Sequence, residues 1–212
     1  IKQDVVSFTL GRSTHARSTD GSTILFDKVI TLMGVPSDIQ RSGVFICPAE
    51  GIYKFQVYSL SFVNARIWLE LYRNQELVAS LYGYTLCDYA TAGNAVILFL
   101  GKDDVVWVKA HAGLEVILYG APSEIYTTFS GIRLTDRVVT ANGISNNIAF
   151  SAVLTKHSVF HHGSTILYDK PLLNHGNGYK VDTGIFTAPR NGIYIFHFFS
   201  LAEIGSEICQ EL

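Results

Sequence analysis

From Ile52 onward, Tyr53, Phe55 and Val57 alternate with Lys54 and Gln56. A period of two turns one set of side chains to a buried face and the other to solvent, so it predicts a strand and not a helix. Ile67, Leu69 and Leu71 alternate with Arg66, Trp68 and Glu70 in the same way. Residues 95–100, 105–108 and 115–119 form further short runs rich in β-branched and aromatic side chains. Turn formers separate these runs: Arg73-Asn74, Gly101-Lys102-Asp103-Asp104, Ala112-Gly113 and Gly120-Ala121-Pro122-Ser123. No window combines sustained 3.6-residue apolar spacing with helix caps. About ten short strands with turns between them predict an all-β fold, a sandwich or a barrel.

The chain also repeats itself. Gly21-Ser22-Thr23-Ile24-Leu25-Phe26-Asp27-Lys28 returns 142 residues later as Gly163-Ser164-Thr165-Ile166-Leu167-Tyr168-Asp169-Lys170. That spacing is far longer than a solenoid unit and implies a duplicated domain. Phe8 aligns with Phe150 at the same offset, and the stretch from Gly43 to Tyr53 aligns with that from Gly184 to Tyr194 at an offset of 141. Further on, Ser59-Leu60 matches Ser200-Leu201, and Glu70-Leu71 matches Glu211-Leu212. The expected organisation is a complete domain at 1–135, a linker at 136–146, and the N-terminal half of a second domain at 147–212, a fragment of a longer module. Half a sandwich leaves its inward aromatics without cover. Burying each such side chain stabilises by roughly 1.5–3 kcal/mol, so 147–212 alone is not expected to fold stably.

Composition narrows the class. The chain is 48% hydrophobic and 16% charged, with a formal charge of −2, which suits a large core and not disorder. The absence of a Lys/Arg run removes the electrostatic case for nucleic acid. No apolar stretch reaches the 18 residues that a membrane-spanning helix needs. The three cysteines are not demanded by the fold where the copies overlap: Cys47 aligns with Ala188, and Cys209 with Trp68. An odd count leaves a thiol unpaired or linked to another chain, and the state of Cys47, Cys87 and Cys209 stays open.

Tyr168-(x5)-Asn174-(x4)-Tyr179-(x6)-Phe186-(x5)-Gly192-x-Tyr194-x-Phe196-x-Phe198 resembles the signature of the C1q globular domain, beginning with Tyr where the family has Phe. The first copy keeps Phe45-(x5)-Gly51-x-Tyr53-x-Phe55 but has Val57 at the last aromatic position, with Leu32 and Asp38 replacing upstream members. Its far end resembles the family in Gly101-Lys102-Asp103-Asp104-Val105-Val106-Trp107-Val108 and in the closing strand Thr128-Phe129-Ser130-Gly131-Ile132-Arg133-Leu134. The resemblance implies an antiparallel two-sheet jelly roll of the C1q/TNF-like kind, followed by a partial second copy. It also implies a homotrimer and a secreted, extracellular recognition protein. Phe45, Gly51, Tyr53, Phe55, Phe129 and Gly131, with Phe186, Gly192, Tyr194, Phe196 and Phe198, are then structural. No Gly-X-Y run for a collagen stalk occurs in these residues.

Loops on a rigid sandwich are where binding residues concentrate. With strands alternating in direction and both domain ends together, segments 11–22, 74–75, 101–104 and 120–124 should share the opposite end. Their polar groups are His15, Arg17, Asp20, Lys102, Asp103, Asp104 and Glu124. Asp103 and Asp104 offer oxygen ligands to calcium, which some family members bind near the trimer apex; the alternative is a solvated turn. His157, His161 and His162 form a histidine cluster that reads either as a transition-metal set or as a solvated loop. His197, aligned with Gln56, reads as a surface or subunit-contact residue. Trp68 and Tyr72 point away from the core, and two readings stay open: a trimer or partner contact, or cover by an edge loop.

Three function classes follow. The first is multivalent binding of glycans or microbial surface patterns in innate immunity, favoured by tandem domains because linked weak sites gain avidity. The second is a signalling or adhesion ligand for a protein receptor. The third, a cupin-type enzyme, needs a His/Glu metal set inside the barrel, and the first copy holds only His15 and His111. No Gly-x-Ser-x-Gly elbow occurs either. A non-enzymatic binding protein is the expectation, with no cofactor required and calcium as the candidate.

Overall fold

The computed structural model describes residues 5–136, 147–161 and 163–202. Residues 137–146 of the expected linker, His162 and Cys209 lie outside the described residues. In the first copy the strands are β1 (Ser7–Arg12), β2 (Ala16–Ser18), β3 (Lys28–Met33), β4 (Val44–Ile46), β5 (Gly51–Leu60) and β6 (Arg66–Arg73). They continue as β7 (Glu76–Tyr84), β8 (Thr91–Leu100), β9 (Val105–Ala110), β10 (Val116–Leu118) and β11 (Thr127–Asp136), and the helix α1 (Ile39–Ser42) is one turn long. Two antiparallel sheets face each other, one ordered β3-β1-β11-β5-β8 and the other β4-β9-β6-β7, with β2 and β10 paired beside them. This is the two-sheet jelly roll that the family resemblance implied, and it decides between the sandwich and the barrel that the alternating pattern left open.

The period-two residues do what their spacing requires. Tyr53, Phe55 and Val57 on β5 and Ile67, Leu69 and Leu71 on β6 are buried between the sheets. Phe8 and Phe45 stack with centroids 5.3 Å apart, and Phe129 meets Phe8 edge-on at 4.9 Å. Gly131, the glycine of the closing strand, makes room for these rings. A Cβ there would lie 2.3 Å from Cε1 of Phe8 and 2.9 Å from Cε1 of Phe55. At the edge of the core the Tyr53 hydroxyl donates to the Ala49 carbonyl at 2.6 Å. Burial pushes the Tyr53 phenol above its ordinary value, so it stays a donor.

One expectation about the ends needs correction. β3 runs antiparallel to β1, and β4 runs antiparallel to β9. Following these pairings, β3 and β4 travel the same way, so residues 34–43 recross the sandwich without forming a strand. A strand count by parity misses that traverse. It brings 74–75 and 101–104 to the end where the domain begins and finishes, not to the opposite one. Asn74 N–H donates to Val105 O at 2.8 Å, Asp103 N–H to Cys47 O at 2.9 Å, and Arg133 near the end of β11 donates to Glu50 O.

The second copy forms β12 (Ala149–Val153) and β13 (Lys170–His175), paired as β1 and β3 are, then β14 (Tyr179–Lys180) and β15 (Ile185–Phe186). Phe150 stacks on Tyr179 at 5.2 Å and on Phe186 at 4.9 Å. Residues 192–201, which align with β5, are not in a strand. β12 and β13 pack against β8 of the first copy. Among the described residues no helix is long and apolar enough to cross a membrane.

Candidate functional site

At the end of the first copy away from its termini, the chain turns from β5 into β6, from β7 into β8 and from β10 into β11. The connections are tied by backbone bonds: Phe62 N–H donates to Ile117 O at 2.9 Å and Tyr119 N–H to Leu60 O at 2.9 Å. These ties gather rings from four segments. His15 meets Phe62 at 5.0 Å and Tyr119 at 5.1 Å, while Tyr89 and Tyr126 approach Tyr119 at 5.3 and 5.8 Å. Phe62, Tyr89 and Tyr126 keep 38%, 43% and 48% of their surface in solvent. The Tyr119 hydroxyl donates to Glu124 Oε2 at 2.9 Å, and that bond raises its pKa above the ordinary phenol value. The His15 ring is oriented by the Gly120 N–H, which donates to its Nδ1 at 3.1 Å. The result is a broad aromatic surface fringed by a carboxylate and phenol hydroxyls.

The structure divides the expected loop residues. His15 and Glu124 belong to this cluster. Arg17, on β2, pairs with Glu115 at 3.2 Å. Asp20 closes its own turn, accepting from Ser18 Oγ at 3.1 Å and Ser22 N–H at 3.0 Å. Lys102, Asp103 and Asp104 lie at the other end, through the recrossing described above. There the Asp104 carboxylate accepts from Gly101 N–H at 2.9 Å and from Asn74 Nδ2 at 3.1 Å. Asp103 has a left-handed φ of 69°. Calcium needs six to eight oxygens, but both Asp104 oxygens already face donors, and among the described residues no third acid joins the pair. The residues present do not fit that ion.

His157 and His161 are exposed in the connection between β12 and β13, where His161 O accepts the Ser164 N–H at 3.0 Å. Among the described residues no three His, Cys, Asp or Glu side chains come together as a metal-holding group. Cys47 is buried and unpaired, and Cys87 is exposed and unpaired.

Trp68 and Tyr72 do point outward, on the four-stranded sheet, and their cover comes from Trp107 on β9 and from His111, the residue that follows that strand. Trp68 stacks on His111 at 3.8 Å, and Tyr72 on Trp107 at 5.6 Å. Beneath them the almost buried Glu70 is held by His111 Nδ1 at 2.7 Å, by the Tyr72 hydroxyl at 3.2 Å and by Lys109 at 3.6 Å. His111 is thus on an outer face and His15 at an end, so the two do not converge in the sandwich interior.

Sequence reasoning passed over Phe62, Tyr89, Tyr119 and Tyr126. The available signal was aromatic residues placed in or beside turn segments, where no strand alternation calls for them.

The sheet order and the Phe-Ser-Gly closing strand define a C1q/TNF-like jelly roll. The C1q domain model matches residues 7–134 and again 149–212, so the chain belongs to the C1q-domain family. Zebrafish (Danio rerio) Caprin-2 is 36% identical over 132 residues, covering 61% of this chain and 14% of that protein. Complement C1q tumor necrosis factor-related protein 6 of Rattus norvegicus is 28% identical over 127 residues, covering 59% of this chain and 48% of the relative. The chain therefore spans less than half the length of either relative. Among solved structures, the globular domain of zebrafish complement 1qA aligns with a TM-score of 0.51 and 20% identity, over 62% of this chain and 99% of that one. The Eiger TNF of S. frugiperda aligns with a TM-score of 0.54 and 15% identity, over 64% and 96%. At these identities the likeness is one of fold.

Proposed function

We propose that this chain is a secreted recognition protein, working as a homotrimer in innate immunity, whose C1q-type domain holds glycans of microbial or host surfaces at its ring-lined end. The observation that carries this reading is the exposed cluster of Phe62, Tyr89 and Tyr126 around Tyr119 and His15. Flat ring faces accept the C–H faces of sugars, and the Glu124 carboxylate with the phenol hydroxyls supplies partners for sugar hydroxyls. Tyrosine is suited to such contacts because it offers a large, rigid, amphipathic surface with only two rotatable angles. Presenting several such ends on one assembly multiplies weak single-site binding. A receptor-binding signalling or adhesion ligand is the alternative.

A glycan array probed with the full chain, alongside capture of cell-surface proteins, separates the two. Saccharide binding that falls about tenfold in Tyr126→Ala, with the melt unchanged, supports the glycan reading. A blank array with a specific protein captured, and lost in Tyr126→Ala, moves the same surface to the alternative. Binding of either kind that ignores the ring substitutions would sink this site.

A further inference from the structure

Next to the ring-lined end, a small cleft opens between the start of β6, the end of β7 and β10. Its walls include Val63, Asn64, Arg66, Tyr84, Glu115 and Ile117, and it holds about 270 Å³. Pockets for whole small molecules run to about 300–1,000 Å³, so this cleft suits one group of a ligand that is held mainly elsewhere. The rings lie within reach for the remainder. Val63 follows Phe62, the Phe62 N–H donates to Ile117 O at 2.9 Å, and Ile117-Leu118-Tyr119 is continuous chain.

The cleft contains a cation that the protein leaves without an anion. Arg66 and Tyr84 stand directly opposite each other in the β6–β7 register, and the guanidinium carbon lies 5.0 Å from the centre of the Tyr84 ring. A guanidinium held over a ring keeps its N–H donors around its edge, where a planar acceptor can meet them. Among the described residues no carboxylate pairs with Arg66, and its Nε is buried without an acceptor. Glu115, the acid on the cleft wall, is already engaged by Arg17 at 3.2 Å. Asp88, whose carbonyl accepts the Asn64 N–H at 3.2 Å, accepts the Tyr89 N–H on its own carboxylate at 2.8 Å. The backbone before Arg66 is also set. Asn64 has a left-handed φ of 57°, and the Ala65 N–H donates to Phe62 O at 3.0 Å, so a tight turn feeds Arg66 into β6.

We propose that Arg66, braced by Tyr84, is a subsite for the carboxylate of an acidic sugar whose ring lies on Phe62. An arginine fork meets a carboxylate through two parallel N–H bonds, which a neutral hydroxymethyl group cannot return. Ring faces accept any pyranose and discriminate weakly, so specificity comes from the fork. This inference rests on the glycan reading of the ring-lined end and narrows it to uronic-acid-type saccharides.

Binding of the full chain to four polymer-displayed probes tests the subsite: a terminal glucuronoside, the matching glucoside, the glucuronoside methyl ester and the glucoside 6-sulfate. The four differ only at the sixth carbon. The glucuronoside is expected to bind about tenfold tighter than the glucoside, and the ester, which needs no variant to fold, should fall to the glucoside's level. Arg66→Gln should remove the preference while glucoside binding and the melt stay unchanged. Equal binding of glucuronoside and glucoside overturns the subsite and leaves the ring-lined end standing as a glycan surface. A preference that survives in Arg66→Gln overturns the assignment to Arg66. Sulfate matching the glucuronoside overturns the carboxylate fork in favour of a site for anions at large. Failure of all four probes to bind overturns the subsite and counts against the glycan reading beneath it.

Discussion

The two copies carry out the same local tasks and differ in what covers them. In the first, Asp27 accepts from Ser13 N–H at 2.7 Å and from Thr14 Oγ at 2.9 Å; in the second, Asp169 accepts from Thr155 N–H at 2.8 Å and Thr155 Oγ at 2.6 Å. Tyr53 donates to Ala49 O, and Tyr194 donates to Arg190 O at 2.8 Å. Turns and their anchoring bonds are thus written into short stretches of sequence. Burial is not. Phe55 is 0% exposed, whereas its counterpart Phe196 is 41% exposed. β5 is flanked by β8 and β11, and residues 147–202 hold no counterpart of either strand. A local motif sets direction, and the core needs strands that come from far along the chain.

The largest effect expected from that difference is on independent folding. Residues 5–136 alone should unfold in one cooperative thermal transition, and 147–212 alone should show none by circular dichroism and calorimetry. A sharp melt of the isolated second segment would erase the contrast. Next in size, Phe55→Ala should destabilise the first copy by about 3–5 kcal/mol in denaturant unfolding. Phe196→Ala, removing a half-exposed ring, should cost about 1 kcal/mol or less. Equal penalties would mean that the second copy owns a core as complete as the first.

The fold was legible because two-residue alternation at Tyr53–Val57 and Ile67–Leu71 is enforced by burial itself, and the duplicate confirms which positions matter. The ends of the sandwich were less so. The recrossing at 34–43 contains Ile39, a buried side chain on a one-turn helix too short to give a period. Parity therefore put Lys102, Asp103 and Asp104 at the wrong end. The ring cluster was harder still to foresee. His15, Phe62, Tyr89 and Tyr119 are separated by tens of residues and meet only because Phe62 bonds Ile117 and Tyr119 bonds Leu60. No local pattern encodes that meeting. The outward stack of Trp68 on His111 is likewise a cross-strand event between β6 and the residue after β9.

Where the copies should behave alike, smaller effects sharpen the comparison. Gly43 and Gly184 both have φ of 70°, and a Cβ on either would stand 2.6 Å from a carbonyl oxygen, Ile24 O or Ile166 O. Each N–H also closes a turn, onto Ile39 O at 2.9 Å and Lys180 O at 2.8 Å. Alanine at either position should cost about 1–3 kcal/mol locally, read as faster amide exchange across 39–43 in one variant and 180–184 in the other. Unequal acceleration would show that the second turn is held by something the first lacks.

Acidification gives the smallest and most discriminating effect. Burial works to raise the Asp27 carboxyl, but the Ser13 N–H and the Thr14 and Ser13 hydroxyls outweigh it, and the pKa lies below the ordinary value. The Thr155 hydroxyl and N–H lower Asp169 in the same direction. A carboxyl lowered by folding favours the folded state above the unfolded pKa of about 3.9, and that contribution disappears as pH falls through the folded value. Both corners should therefore hold constant protection from neutral pH to about 4 and loosen below it, seen by NMR at the Ser13 and Thr155 amides. Asp27→Asn and Asp169→Asn should each abolish the pH dependence at its own corner and leave the other intact. If one substitution flattened both, the corners would be coupled through the packing of β12 and β13 on β8, and the two copies would have to be treated as one cooperative unit.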